Sequence, residues 1–359
     1  MRVLFDAYWW CSGSAAVRRV MREVVIAWAA EFPDDHICLV VRRRHLEDVR
    51  KEVAPETLLV PSRMRPQAAL AVLGTSYAAR TFKPDLVISH NFASLSKNSA
   101  VFLHDVLFKT NPEWFTIKER IYFSTMIPLA RRSDVVIASS RNEASRIRRF
   151  VRETPVVAAG ISVAGGLLEA PTTDGFSTLT SRRFMLAVGR LTPRKNLART
   201  IAAALEADLA TPQFPLVVVG AAEGSSAALP PGSDEAVNDR RLIFTGFVTD
   251  IELKWLYQNA RLSVYVSMDE GYGMPPLESL ALGTPVVVSD IDVMRENLGI
   301  HATYADPTDV ASIAQAMTYE ASTELTQERI QSLRAHGSSL TWAQVVSSIR
   351  HAAEEFVND

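Results

Sequence analysis

The sequence predicts an α/β protein made of two successive doubly wound halves. Three observations predict it. Short apolar runs alternate with stretches of helical periodicity along the chain, and the alternation starts afresh after a Gly/Ala/Thr-rich interruption near the middle. The 359 residues are long for one core and comfortable for two.

In chain order, Val3–Phe5 is the first strand and Val17–Ala30 a strong helix, with Arg18, Arg22 and Glu23 as its polar members. Further strands are expected at Ile37–Val41, Leu58–Val60, Leu86–Ser89, Ala100–Leu103 and Val135–Ala138, and Pro155–Val157 reads as one more. From Ala159 to Ser181 periodicity disappears, which marks a linker. The first domain is therefore expected over 1–165 and the second over 166–342. The second set of strands is Phe184–Val188, Leu216–Val219, Leu242–Thr245, Leu262–Val266 and Pro285–Val288. Ala222–Asp239 reads as a surface loop, and Trp342–Phe356 as an amphipathic helix; the segment 343–359 is expected to pack back on the first domain. Ligands in doubly wound sheets sit beyond the strand carboxyl ends, so two such halves imply a cleft between them.

Composition narrows the function. With 48% hydrophobic and 22% charged residues and no low-complexity tract, the chain is not predominantly disordered. Cys11 and Cys38 make neither a disulfide framework nor a metal-ligand pair. The first ten residues hold one Arg and an apolar run broken by Asp6, which reads as a strand rather than a signal peptide, so a reducing cytoplasm is expected. No run approaches the ~18 apolar residues of a membrane helix.

Residues 1–165 carry 24 Lys and Arg against 16 Asp and Glu, and the remainder 14 against 24. A basic half thus adjoins an acidic one. Arg131, Arg132, Arg141, Arg146, Arg148, Arg149 and Arg152 supply much of the excess. They read either as a solvated helix face or as a patch for anionic lipid or a phosphate-linked acceptor at the inner membrane surface. Nucleic acid is disfavoured, since no aromatic–basic interleaving accompanies them.

The most informative segment is Asp269-Glu-Gly-Tyr-Gly-Met-Pro-Pro-Leu-Glu278, leading to Gly283. A strand ends near Val266, a Gly-x-Gly loop follows, and a helix starts at Pro275 or Pro276 and stops near Gly283. The amides of Gly271, Tyr272, Gly273 and Met274 are expected to face an anion at the helix N-terminus. Glu270 precedes this loop and Glu278 lies in the helix. Carboxylates beside an anion site suit a ligand with vicinal hydroxyls, as in a hexose or a ribose. A second segment, Ala187-Val-Gly-Arg-Leu-Thr-Pro-Arg-Lys-Asn196, follows a strand and opens the helix Leu197–Ala207. There Gly189 allows close backbone approach, and Arg190 and Lys195 supply charge suited to a diphosphate. Thr245-Gly-Phe-Val-Thr-Asp250 is a third strand-to-helix turn, and Ala100-Val-Phe-Leu-His-Asp105 puts His104 at a strand tip. His90 ends another strand.

These segments together resemble the family-4 retaining glycosyltransferases of the GT-B fold, which have two facing Rossmann-like domains and an interdomain cleft. The resemblance spans the chain and is strongest in the second half, where Glu270 and Glu278 match a Glu-x7-Glu hallmark. It implies that Glu270 contacts the donor hexose, that Glu278 binds the nucleotide ribose, and that Arg190 and Lys195 neutralise the diphosphate, with Arg194 as a substitute. It further implies that the backbone at Val248 frames the base. His104 would face the donor sugar, with Asp105 orienting the ring or the acceptor. In the first loop, Gly13 stands alone where the family has a Gly-Gly pair near the donor phosphates, and Ala158-Ala-Gly160 replaces the usual Pro-Asn-Gly. Trp9 and Trp10 read as core, with stacking on an acceptor sugar as the alternative.

The stretches His104-Asp-Val-Leu-Phe108, Pro112-Glu-Trp-Phe115 and Glu119-Arg-Ile-Tyr-Phe123 are reminiscent of bacterial polysaccharide mannosyl- or rhamnosyltransferases. The expected reaction is thus retaining transfer of a hexosyl or deoxyhexosyl group from a nucleotide diphosphate sugar to a glycan or lipid-diphosphate-linked acceptor. It would need no cofactor and no metal. Asp290-Ile-Asp292 has the Asp-x-Asp pattern by which a different glycosyltransferase fold holds a metal, but it follows Val286–Val288 in a context that gives it no such role. Alternatives are another GT-B activity, an epimerase or a phosphorylase, and a non-catalytic nucleotide-sugar sensor. A Rossmann oxidoreductase is disfavoured, because no Gly-x-Gly-x-x-Gly follows the first strand.

Overall fold

The computed structural model describes residues 1–13, 15–171, 173, 176, 179–220 and 228–356. The chain divides into two compact units, Met1–Ser162 with Leu340–Asp359, and Val163–Ser339.

In the first unit β1 (Arg2–Asp6), β2 (His36–Arg42), β3 (Leu58–Ser62), β4 (Leu86–His90), β5 (Ser99–Leu103), β6 (Val135–Ala138) and β7 (Val156–Ala158) form one sheet in the order β3-β2-β1-β4-β5-β6-β7. Every pairing is parallel. Val3–Phe5, Cys38–Val41, Leu86–Ile88 and Val135–Ala138 are buried throughout, as strands covered on both faces must be. The helix Ala15–Glu31 buries Val20, Met21, Val24, Val25 and Trp28, and the final helix Trp342–Phe356 packs against it through a face carrying Val345, Val346 and Ile349. Asp35 ties these parts together. Its carboxylate accepts from the N-terminal ammonium at 2.6 Å, from Trp28 Nε1 at 3.0 Å and from Arg350 Nη1 at 3.0 Å.

In the second unit β8 (Met185–Val188), β9 (Leu216–Val219), β10 (Leu242–Gly246), β11 (Leu262–Tyr265), β12 (Val286–Ser289) and β13 (Ala302–Ala305) run parallel in the order β10-β9-β8-β11-β12-β13. β13 was not expected from sequence; its Ala-Thr-Tyr-Ala run is only partly apolar because it lies at the sheet edge. The expected loop Ala222–Asp239 also needs correction. Residues 222–227 lie outside the described residues, but Ser233–Asn238 is a helix. Gly232 enters it with φ of 81°, and Asp234 and Glu235 oppose the helix dipole in its first turn. The helix Met274–Ala281 begins one residue before Pro275, with Gly273 at φ 93° as its N-cap, and Gly283 follows its end at φ 83°. Positions 172, 174, 175, 177 and 178 of the expected linker lie outside the described residues.

The strand order reverses between β1 and β4 in one sheet and between β8 and β11 in the other. Such switch points open crevices beyond the carboxyl ends of the strands. Among the described residues, no helix is long and apolar enough to cross a membrane.

The helix Gln327–Gly337 lies so close to Met274–Ala281 that a Cβ at Gly337 would stand 2.2 Å from the Ala281 amide nitrogen. Gly337→Ala is therefore expected to destabilise the protein by about 1–3 kcal/mol, read as a lower midpoint in chemical denaturation. An unchanged midpoint would mean that the two helices do not touch.

Candidate active site

The second unit builds a charged cluster at its switch point. After β8 the chain runs through Gly189 and Arg190 into the short turn Pro193–Lys195. Asn196 then adopts a left-handed conformation, φ 56°, and its Nδ2 donates to the carbonyls of Val266 at 2.8 Å and Pro307 at 2.7 Å. The Met268 amide donates to the Arg194 carbonyl at 2.8 Å. These bonds fix the β8 turn against the loop leaving β11, so Arg194 and Lys195 meet Glu270. Arg194 Nη1 lies 2.9 Å from Glu270 Oε2, and Lys195 Nζ 2.6 Å from Oε1. Tyr265, the last residue of β11, donates its hydroxyl to Oε1 at 2.9 Å and also meets Lys195 Nζ.

Glu270 is 6% exposed, and burial alone would push its pKa up. Arg194, Lys195 and the hydrogen bonds of Lys195 and Tyr265 outweigh that and bring it down to about 2. Lys195 is itself lowered by burial and by Arg194 and Arg190, against the pull of Glu270. Burial and Glu270 push the Tyr265 phenol well above its ordinary range. Two cations thus hold one carboxylate, and Arg190 is close enough to act on Lys195. Arg190 is exposed and, among the described residues, makes no ion pair, so the cluster carries an excess of positive charge at the strand ends.

Glu270 was expected to offer its oxygens to two hydroxyls. It already accepts three hydrogen bonds, and a carboxylate has about four acceptor sites, so one hydroxyl fits without displacing a partner. Arg194 and Lys195 act together on opposite oxygens of Glu270. Glu278 is buried in its helix and accepts from the Tyr257 hydroxyl at 3.0 Å. The loop Gly271–Met274 is held by Asn297, whose Nδ2 donates to the Tyr272 carbonyl at 2.6 Å. A Cβ at Gly273 would lie 2.8 Å from Met294 Cε. Val248 sits in the turn between β10 and the helix Asp250–Asn259, whose start is fixed by a Thr249–Glu252 capping box.

The steric need for glycine beside β8 falls on a residue that the sequence did not single out. A Cβ at Gly189 would meet the Lys195 side chain at an ordinary 3.7 Å, whereas Gly220, at φ 135°, would put one 2.2 Å from the Gly189 carbonyl oxygen.

The first unit assembles a different group at its own switch point. Asp6 ends β1 fully buried; its carboxylate accepts from the Tyr8 amide at 2.9 Å and from Gln67 Nε2 at 3.1 Å. Gln67 also donates to the His90 carbonyl at 2.7 Å and accepts from Trp9 Nε1 at 2.7 Å. His90 ends β4 and stacks on His104, with Nδ1 and Nε2 3.4 Å apart. The His90 Nε2 is buried without a partner among the described residues. The rings of His90 and Phe102 both meet the His104 ring, and Asp105 Oδ1 accepts from the Leu107 amide at 3.2 Å.

Gly13 is required at φ 88°, because a Cβ there would lie 2.1 Å from the Trp9 ring. Trp10 is core, and its Nε1 donates to Glu52 at 2.7 Å. Asp6 and Gln67 were missed, since Gln67 arrives from 61 positions away with no local signal.

Two further expectations can be placed. Asp290 is gripped by Arg295 through both carboxylate oxygens, at 2.5 and 2.7 Å. In the basic stretch, Arg131 donates to the Phe150 carbonyl, Arg148 to the Val156 carbonyl, and Arg146 pairs with Glu143 at 3.0 Å. Those three serve the fold.

Residues 175–332, which hold the Glu270 cluster, match the family described as glycosyl transferases group 1. This stretch is a group 1 glycosyltransferase domain. The chain is 28% identical over 230 residues to the O-antigen chain mannosyltransferase RfbU of Salmonella typhimurium, covering 64% of this chain and 62% of that protein. It is 32% identical over 169 residues to the serotype-specific mannosyltransferase WbdA of Escherichia coli, covering 45% of this chain and 20% of the other. The chain thus spans less than two thirds of the length of either relative. A glycosyltransferase from Rickettsia africae ESF-5 shares the fold with a TM-score of 0.71 at 13% identity, over 100% of this chain and 99% of the other. The group 1 domain and the unit preceding it thus have the GT-B architecture, two parallel sheets clothed in helices.

The first unit's buried groups give a pH signature outside the group 1 domain. Burial raises Asp6 from 3.8 to about 6 against the hydrogen bonds of Tyr8, Gln67 and the His90 backbone. Its contribution to stability is greatest below pH 4 and is lost as pH rises to about 6. Burial lowers His104 from 6.5 to about 4, so its contribution is present above pH 6.5 and lost as pH falls to about 4. Each is worth up to ~3 kcal/mol at ~1.4 kcal/mol per unit. Denaturation midpoints between pH 4 and 6.5 are expected to fall more steeply with acid in Asp6→Asn and less steeply in His104→Gln. Parallel profiles for all three proteins would contradict this.

Proposed function

We propose that the protein is a retaining glycosyltransferase that moves a hexosyl group, mannosyl in the first place, from a nucleotide diphosphate sugar to a hydroxyl of a glycan or lipid-linked glycan. The observation that carries this reading is the buried Glu270 held by Lys195, Arg194 and Tyr265 at the β8/β11 switch point, with Arg190 adding uncompensated positive charge beside it. A hydroxyl acceptor next to an anion-complementary field suits a sugar carried on a diphosphate. Mannose is favoured because the relatives RfbU and WbdA bear the name mannosyltransferase.

In this reading the second unit binds the donor. Glu270 holds a hexose hydroxyl, Glu278 the ribose, and the backbone near Val248 the base, while Gly189 and the loop Gly271–Met274 border the phosphates. The bond from the anomeric carbon to the diphosphate oxygen breaks, and its electron pair leaves with the diphosphate, which Arg190 and Lys195 stabilise. The acceptor hydroxyl attacks from the same face, and its proton passes to the departing diphosphate. The protein supplies the charge that a divalent ion would otherwise bring, so no metal or other cofactor is required. The first unit receives the acceptor; Gly13 shapes the loop after β1, and His104, neutral at pH 7, offers a hydrogen bond to substrate.

A panel of nucleotide sugars tested for protection against thermal unfolding checks the donor site. One donor at about 100-fold excess over its Kd is expected to stabilise the wild type by ~2.7 kcal/mol, with the shift lost in Glu278→Ala and in Lys195→Ala. If no nucleotide sugar protects the wild type, the transferase reading fails.

A further inference from the structure

Five arginines of the first unit that have no acidic partner among the described residues gather away from the basic stretch after Ala130. β2 ends at Arg42 and runs straight into Arg43 and Arg44; the turn after β3 carries Arg63 and Arg65. Because β2 and β3 are parallel and in register, with Arg42 opposite Ser62, both strands deliver their arginines to the same carboxyl edge of the sheet. The five arginines line a cavity of about 350 Å³ together with Ser62 and Met64. Among the described residues, none of the five has a carboxylate partner.

Arg42 is the anchor: it is 8% exposed, donates to Ser12 Oγ at 3.1 Å and lies 4.9 Å from the centre of the Tyr8 ring. Burial, Arg44 and Arg65 all work against its charge. Cations crowded in this way repel one another, and an anion in the cavity relieves that repulsion.

A second cavity, of about 440 Å³, shares Arg43, Ser62, Arg63 and Met64 with the first. Val40, Val60, Pro61, Gly74 and Tyr77 form the rest of its lining. Tyr77 is 68% exposed, and Leu73, four residues earlier on the same helical run, is 57% exposed. An arginine pocket opening into an apolar groove complements one class of molecule, an amphiphile with a phosphate headgroup.

We infer that this edge binds a lipid-linked diphosphate, the headgroup among Arg42, Arg43, Arg44, Arg63 and Arg65 and the first part of the hydrocarbon along Val60, Met64 and Tyr77. As the anchor of a lipid-linked acceptor, the site rests on the transferase reading; the binding itself does not.

The test is a calorimetric titration of the full chain carrying Lys195→Ala, so that the cluster at Glu270 does not compete for diphosphate. The probes are farnesyl diphosphate, inorganic pyrophosphate and farnesol. Farnesyl diphosphate is expected to bind at least tenfold more tightly than either of the others. Adding Arg63→Gln and Arg65→Gln together should weaken it at least tenfold, and Tyr77→Ser should weaken it while leaving pyrophosphate unchanged. All three positions are exposed, so the variants are expected to fold, which their thermal transitions check.

Pyrophosphate binding as tightly as farnesyl diphosphate would make this a site for free anions and overturn the proposal. So would farnesol binding as tightly, or an affinity unaffected by the arginine substitutions. Nucleotide-sugar protection of the chain with Lys195 intact reports separately on the transferase reading; its absence beside intact farnesyl diphosphate binding would remove that reading and leave this site standing.

Discussion

The structure of the second unit turns on one buried carboxylate. Glu270 sits where water cannot solvate it, so its charge survives only through Lys195, Arg194 and Tyr265. That requirement joins the turn after β8 to the loop after β11, and the left-handed Asn196 supplies the backbone bonds that hold the turn in place. Gly220 is needed for the same reason, since the carbonyl of Gly189 approaches it too closely for any side chain. The arrangement is over-supplied with cations. A carboxylate that needed only neutralising would need one partner; here it has two, with Arg190 nearby. The surplus suits a diphosphate, and the remaining acceptor site on Glu270 suits a hydroxyl.

The first unit solves its switch point by the opposite means. Burial there works against charge: His104 is pushed down to about 4 and is neutral at pH 7, while Asp6 is raised only to about 6 and keeps its charge there with the help of the Tyr8 amide and Gln67. Gln67 bridges the ends of β1 and β4, and the His90–His104 stack presents imidazole rather than imidazolium at neutral pH. A neutral imidazole pair is suited to hydrogen bonding with sugar hydroxyls. Arginines without carboxylate partners gather next to the switch point at the carboxyl edge of β2 and β3, with Arg42 against the Tyr8 ring.

Much of this was legible in the sequence, for physical reasons. Parallel strands buried on both faces must be unbroken aliphatic runs, so Val135–Ala138 and Leu216–Val219 announce themselves. The stretch from Glu270 to Glu278 fixes a turn, a helix start and two carboxylates within nine positions, which local reading captures. What it could not capture depends on register or on distance along the chain. Ala302–Ala305 is a strand because β12 offers it a partner, not because its own side chains demand it. Gln67 belongs beside Asp6 only once β1 and β4 are neighbours. Arg42 and Arg65 lie 23 positions apart, and only the pairing of β2 with β3 gathers them. The multiple partners of Glu270 were likewise hidden, since Tyr265 reads from sequence as one more strand residue.

The most direct test of the central claim compares a nucleoside diphosphate with its hexose ester by calorimetric titration, on the wild type and on Glu270→Gln. If Glu270 is the sugar's acceptor within a cationic diphosphate site, the variant keeps or improves its affinity for the nucleoside diphosphate and binds the hexose ester at least tenfold more weakly than the wild type does. Equal loss of both ligands, or a wild type that binds neither, would contradict the account.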